Sequence, residues 1–319
     1  MKNIAIITGG DSQEYEISLK SAETVYNHLD REKYQPYIVE IRDNIWKIKV
    51  NDSYKTIDKN NFSVQIDNKL IEFKNIFMSI HGPPAENGEL QNLFDTKEIK
   101  YTCCNSKVSA LTFNKFKCNQ ILKKLEYKIA DSLLHLKDNK IDAEKITSNF
   151  KLPLFIKPNE AGSSNGISIV YKKSEFTDAI NNALLHDDQV IIEEYIKGTE
   201  VSCGAFNTKD EIIILPITEI ISENDFFDYD AKYNNKVQEI TPARISKKET
   251  EIVQRNTKEI YKKLKLKGLC RIDYIIKEGE PYIIEINTIP GLSEQSIIPK
   301  QIKKAGYSLT EVFTICLEN

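Results

Sequence analysis

Gly268-Leu-Cys-Arg-Ile-Asp-Tyr-Ile-Ile276 and, after a short turn, Tyr282-Ile-Ile-Glu-Ile-Asn287 decide how this chain is read. Both runs are rich in β-branched and aromatic residues, and Lys277-Glu-Gly-Glu-Pro281 between them is turn material, so the pair predicts a β-hairpin. A turn centred on Gly279 sets Asp273 opposite Glu285 and Arg271 opposite Asn287. Alternation along each strand then turns all four side chains to one face. Two carboxylates directly opposite one another repel. A divalent cation removes that repulsion, and Asp273, Glu285 and Asn287 carry the hard oxygen ligands that Mg²⁺ takes while it also holds substrate phosphates. The competing reading is an exposed polar face on which Arg271 neutralises Asp273.

Composition limits what surrounds this hairpin. A length of 319 residues allows two or three domains with real cores. The net charge of −3 is the balance of many charges of both signs, with no basic tail, which argues against nucleic acid as a partner. The first apolar run, Met1–Ile7, is too short for a signal peptide or a membrane span, so no membrane partner is expected and the setting is read as cytoplasmic. Six cysteines lack C-x-x-C spacing and several lie in apolar stretches, as buried reduced thiols do; a redox role for the vicinal Cys103-Cys104 is the alternative. The four histidines are too scattered for a zinc site.

Strand-loop-helix alternation fills the first hundred residues. Ile4–Thr8, Tyr34–Ile41, Ile45–Val50 and Asn75–Ile80 read as strands, Glu16–Leu29 and Gly88–Ile99 as helices. This predicts an α/β domain with a largely parallel sheet, whose loops Gly9–Glu16 and His81–Gly88 meet at the strands' carboxyl ends. A helical stretch from Asn105 to about Lys128 follows. Strands at Leu154–Lys157, Ile167–Val170 and Val190–Glu194 and a helix at Glu175–Leu185 then make an α+β segment. Thr199–Phe206 and Glu211–Ile217 read as antiparallel strands. Ser222–Ala243 reads as a long irregular lid carrying aromatics, ahead of a helix at Lys247–Leu264, the hairpin and two terminal helices. The expected units are 1–103, 104–192 and 193–319.

Two further segments carry chemistry. In Phe155-Ile-Lys-Pro-Asn-Glu-Ala-Gly-Ser-Ser-Asn-Gly-Ile167 a lysine ends one strand and a glycine-rich turn leads to another. Free N–H groups in such turns bind anions, although ordinary hairpin turns are also glycine-rich. No Gly-Lys-Ser/Thr is present, so this is not a Walker loop. Ile191-Ile-Glu-Glu-Tyr-Ile-Lys-Gly-Thr-Glu200 sets carboxylates about a crossover between apolar strands, where a planar base and a ribose would fit and where solvated glutamates would look the same.

In that order, a lysine with a glycine-rich flap, an acidic crossover and an Asp…Glu-x-Asn hairpin resemble the ATP-grasp ligases, and within them the D-alanine–D-alanine ligase family. The matching motifs are Gly9-Gly-Asp-Ser-Gln-Glu-Tyr-Glu-Ile-Ser-Leu19, His81-Gly-Pro-Pro-Ala-Glu-Asn-Gly88, Lys157-Pro-Asn-Glu-Ala-Gly-Ser-Ser-Asn-Gly166, Phe226-Phe-Asp-Tyr-Asp-Ala-Lys-Tyr233, and Arg271-Ile-Asp273 with Glu285-Ile-Asn-Thr-Ile-Pro-Gly291 and Ser296. They span nearly the whole chain. Departures are Ala85 and Asn87, where the family usually shows Gly and Asp, and Ala161, where it usually shows Glu.

The resemblance implies a three-domain ATP-grasp architecture with an N-terminal parallel-sheet α/β domain, and ligation of two D-alanines through a D-alanyl phosphate for peptidoglycan precursor synthesis. It further implies Mg²⁺ or Mn²⁺, two ions, on Asp273, Glu285 and Asn287, and a homodimer. ATP contacts are implied for Lys115, Lys157, Ser164, Glu193, Ile196, Glu200, Phe226 and Lys232. Glu14 would anchor the first ammonium, linked by Ser163 and Tyr233 to flap and lid. His81 belongs to the substrate loop. Arg271 and the Gly291 N–H would hold the oxyanion, and Ser296 the second carboxylate. D-alanine–D-lactate ligation, another carboxylate–amine ligation and a non-catalytic nucleotide-binding protein are the alternatives. Tyr233 favours the dipeptide, and the retained Arg271 and metal carboxylates favour catalysis.

Overall fold

The computed structural model describes residues 1–50, 53–162, 165–222 and 237–319. The first unit holds β1 (Lys2–Gly9), α1 (Tyr15–His28), β2 (Tyr34–Arg42), β3 (Ile45–Val50), β4 (Ser53–Thr56), a separate hairpin β5 (Ser63–Ile66) and β6 (Lys69–Glu72), β7 (Asn75–Met78), α2 (Glu89–Asp95) and β8 (Lys100–Tyr101). Its sheet runs β4-β3-β2-β1-β7-β8. β2, β1, β7 and β8 are parallel, and β3 and β4 add antiparallel strands at one edge. Ile4 and Ile6 alternate with Ala5 and Ile7 on β1, and both sets are fully buried, as a parallel strand covered on two faces requires. The loops after β1 and β7 meet at the carboxyl end, where Ser12 Oγ donates to the His81 carbonyl at 2.9 Å.

The second unit comprises α3 (Ser106–Phe113), α4 (Lys115–Lys124), β9 (Ser132–Leu136), α5 (Ala143–Asn149), β10 (Leu154–Pro158), β11 (Ser168–Val170), α6 (Phe176–Leu184) and β12 (Gln189–Glu194). Its antiparallel sheet, β11-β10-β12-β9, is backed by α5 and α6. The helical stretch expected from Asn105 to Lys128 is two helices, because Asn114 leaves the helical backbone and caps α4 by accepting the Lys117 N–H at 2.9 Å.

The third unit holds β13 (Thr199–Asn207), β14 (Ile212–Ile214), β15 (Thr218–Ser222), β16 (Val237–Ile240), α7 (Lys247–Lys263), β17 (Cys270–Lys277), β18 (Glu280–Asn287), α8 (Ile297–Lys304) and α9 (Leu309–Glu318). The strand expected at Glu211–Ile217 is shorter, ending at Ile214 ahead of Pro216. The expected irregular stretch Ser222–Ala243 contains β16, paired antiparallel with β15. Its sequence Val-Gln-Glu-Ile carries little strand signal, and one sheet neighbour holds it at the edge.

The units are welded rather than loosely tethered. The face of the first sheet that carries Ile4, Ile6 and Phe77 packs on the chain's last two helices, with the Phe77 and Phe313 rings edge to face at 5.2 Å. Each of these nearly fully buried side chains contributes about 1.5–3 kcal/mol of transfer free energy. The α/β reading with an α+β second half therefore stands, and the carboxyl end of the first sheet opens onto the other two.

Candidate active site

The β17–β18 hairpin reaches the expected register by an unexpected route. Its turn is the two-residue Glu278-Gly279, both at positive φ, with Lys277 paired to Glu280. That turn alone would move every later pair by one residue on β18. A bulge beside Asp273 and Tyr274 restores the count, so Asp273 faces Glu285 and Arg271 faces Asn287.

This face is sunk into a cleft rather than exposed. The Arg271 guanidinium forks onto Asp273, with Nε donating to Oδ1 at 2.9 Å and Nη2 to Oδ2 at 2.7 Å, and Ser202 Oγ donates to the same carboxylate. Arg271 Nη2 and Lys115 Nζ each lie 3.8 Å from Glu285. Burial works against the Arg271 charge, but the Asp273 carboxylate outweighs it and holds the guanidinium above its ordinary value. Neutralisation of Asp273 by Arg271 is thus real, and the exposed setting that went with that reading is not.

A cleft of about 860 Å³ gathers thirteen of the expected residues from all three units: Glu14 and His81; Lys115, Lys157, Glu193 and Ile196; Glu200, Arg271, Asp273, Glu285, Asn287, Gly291 and Ser296. Ser163, Ser164, Phe226, Lys232 and Tyr233 lie outside the described residues. On the central sheet Phe155 pairs with Glu193, and the Lys157 ammonium reaches that carboxylate at 2.7 Å with both side chains buried. Lys115, at the start of α4, also donates to the Ala161 carbonyl at 2.6 Å, tying the flap to the hairpin.

Glu14 occupies the N-cap position of α1 but its side chain does not cap that helix. It points at the flap instead: a methyl group on Gly162 would lie 2.4 Å from Glu14 Oε2, so a larger residue there would displace the carboxylate. Ser296 starts α8 without capping it, and its hydroxyl meets Ser293 Oγ at 2.7 Å. A Cβ on Gly291 would lie 2.9 Å from Ser296 Oγ, so these two sit side by side. Neither Glu14 nor Ser296 caps its helix through its side chain.

Glu86 was not foreseen. It lies in the His81–Gly88 loop, and its carboxyl is pushed up to about 8 by burial first, then by Glu14 and Glu285, with Lys115 opposing. Its side chain is half-buried. Only the folded chain brings those three carboxylates together.

The donor set suits a hard divalent cation. Two carboxylates and an amide oxygen share one face, and cations flank it for phosphates. Among the described residues no group of three or more His, Cys, Asp or Glu side chains is arranged to hold a metal ion. All six thiols are free and buried, and burial pushes the Cys103 thiol up, which keeps it unreactive. No helix among the described residues is long and apolar enough to cross a membrane.

Comparison with known proteins now adds a decisive observation. Residues 3–104 match the model of the D-ala D-ala ligase N-terminus and 122–318 that of its C-terminus. The chain belongs to the D-alanine–D-alanine ligase family. D-alanine–D-alanine ligases of Flavobacterium johnsoniae and Phocaeicola vulgatus are 47% and 46% identical, each over 100% of this chain and 99% of their own length. The VanG D-Ala:D-Ser ligase of Enterococcus faecalis is 30% identical with a TM-score of 0.88, covering 99% of this chain and 98% of that one. D-alanyl-alanine synthetase A of Vibrio cholerae has a TM-score of 0.89 at 25% identity, covering 100% and 98%. Family membership makes the chain a ligase that uses ATP, with the fold of those structures.

Proposed function

We propose that this family member joins two D-alanine molecules to D-alanyl-D-alanine with cleavage of ATP to ADP and phosphate. The observation that carries this reading is the convergence of thirteen residues from all three units on one cleft. A carboxylate oxygen of the first D-alanine attacks the γ-phosphorus, the bond to the β-phosphate oxygen breaks, and D-alanyl phosphate forms. The amine of the second D-alanine, having lost a proton, attacks the acyl carbon; the tetrahedral intermediate collapses and phosphate leaves.

Each step assigns work to residues in the cleft. Glu14 holds the first ammonium against the flap. Lys115 and Lys157 supply positive charge along the phosphates, where positioning and electrostatics dominate the chemistry. Asp273, Glu285 and Asn287 would hold Mg²⁺, which neutralises phosphate charge when bound. Arg271 and the Gly291 N–H face the developing oxyanion, and preorganised donors of this kind are worth about 10²–10³ in kcat each. Ser296 and the start of α8 hold the second carboxylate where helix N–H groups are unpaired. The base is taken at the crossover after β12, with Glu200 at the ribose. The same proposal gives Ser163, Ser164, Phe226, Lys232 and Tyr233 their flap and lid roles. It treats 1–103, 104–192 and 193–319 as functional units, with Glu193 and Glu194 completing β12, and sets a homodimer in the cytoplasm.

Phosphate release from ATP with D-alanine, L-alanine and D-lactate tests the reading. Release with D-alanine, and dipeptide as product, is the expected result; no D-alanine-dependent release would overturn it.

A further inference from the structure

Two buried groups bind the first unit to the segment that carries Gly291. Ser21, on α1, and His81, after β7, are 0% and 3% exposed. His81 Nδ1 lies 2.8 Å from the Ile289 carbonyl oxygen, which can only accept, so this nitrogen carries the proton. In the neutral ring the other nitrogen, Nε2, accepts, and Ser21 Oγ stands 2.9 Å away as its donor. The Ser21 oxygen in turn accepts the Leu292 N–H at 3.0 Å. With that tautomer the bonds run in one direction: Leu292 N–H to Ser21, Ser21 O–H to His81, His81 Nδ1–H to Ile289. The base of the relay is held as well, since the His81 N–H donates to Ser18 Oγ at 3.0 Å.

The relay grips the loop on both sides of Gly291, at Ile289 and at Leu292, with Pro290 limiting the backbone between. Gly291 has no side chain with which to fix itself. We infer that Ser21, with His81, is a positioning residue that sets the direction of the Gly291 N–H from the opposite unit of the molecule. The inference rests on the proposed oxyanion role of Gly291. Neither Ser21 nor its hydroxyl touches the reacting atoms; they act through the loop. A donor must point at where charge develops, and a misplacement of about 1 Å is enough to lose about 10²-fold in rate.

The test uses the full chain with Ser21→Ala and Ser21→Thr, read by steady-state kinetics and by amide hydrogen exchange of the 288–293 segment. Ser21→Ala should speed exchange there and lower kcat about 10–100-fold, the range between a tilted and a lost donor, with KM for ATP within about twofold. Ser21→Thr, which keeps the hydroxyl, should restore most of both. If Ser21→Ala does not fold, Ser21→Cys, nearly isosteric and a weak donor, takes its place with the same expectations. Unchanged exchange would overturn the inference while leaving the Gly291 role intact. Faster exchange with unchanged kcat would overturn it too, and would place the fault in the oxyanion role of Gly291. A rise in KM for ATP equal to the fall in kcat would mark a general structural lesion and count against positioning.

Discussion

Two hairpins in this molecule turn in the same way and serve different ends. β5–β6 reverses at Asp67-Asn68 and β17–β18 at Glu278-Gly279, and all four residues have positive φ. The first pairs Ser63 with Glu72 and Gln65 with Leu70, in a two-stranded sheet with no like charges in register. The second opposes Asp273 to Glu285, then surrounds them with Arg271 and Lys115. Equal turn chemistry with unequal pairing shows which hairpin is built for more than folding. Like charges set opposite one another, with cations brought up to hold them, point to a site.

The strongest way to break this comparison is Glu285→Gln. Turnover should fall by orders of magnitude while circular dichroism and the thermal midpoint stay near the parent's, whereas Glu72→Gln on β6 should change neither. Stability should change little because Glu285 lies equally near two cations, which already offset its repulsion with Asp273. Near-normal turnover in Glu285→Gln at ordinary Mg²⁺ would remove the contrast.

Arg271→Lys comes next. Lysine keeps the charge but cannot fork onto Asp273 and also present a donor to the oxyanion. A loss of about 10²–10³ in kcat is expected from one missing oxyanion donor. Steady-state kinetics showing less than a tenfold loss would reassign Arg271 to structure.

Glu86 gives a smaller, pH-dependent effect. Its folded value, about 8, lies above the ordinary carboxylate value, so the native state holds a proton that the unfolded chain gives up. The resulting stability is present in full below the unfolded value and is lost as pH rises through about 8. Metal-free parent should melt at lower temperature at pH 8.5 than at pH 5.5, and Glu86→Gln should flatten that slope. An identical slope in the variant would show that other groups cause it.

The smallest effect belongs to the turns. Glu278→Asn and Asn68→Gly each put a residue better suited to positive φ where it is needed, and each should stabilise by about 0.4–1 kcal/mol without touching activity. Equal gains, measured by chemical denaturation, would confirm that the two turns are equivalent.

Much of this was legible in the sequence because it is local or periodic. The strands of the hairpin, the loops at the carboxyl ends of β1 and β7, and the lysine at the end of β10 announce themselves through alternation and punctuation. The bulge beside Asp273 did not, since strand twist leaves no mark in residue type; the register came out right because turn and bulge offset each other. Asn114 could have been read as a cap within a helical run, and the Asp67-Asn68 turn as a hairpin signal. Glu86 and Ser21 could not. Their surroundings come from residues 14, 285 and 292, which only the tertiary fold brings near.

The central claim is that the opposed carboxylates of β17–β18 serve to hold nucleotide phosphates through a divalent cation. Calorimetric titration of ADP into parent and Glu285→Gln, with and without Mg²⁺, tests it most directly. The account predicts that Mg²⁺ tightens binding to the parent at least tenfold and does little for the variant. The same Mg²⁺ enhancement in both proteins would contradict it.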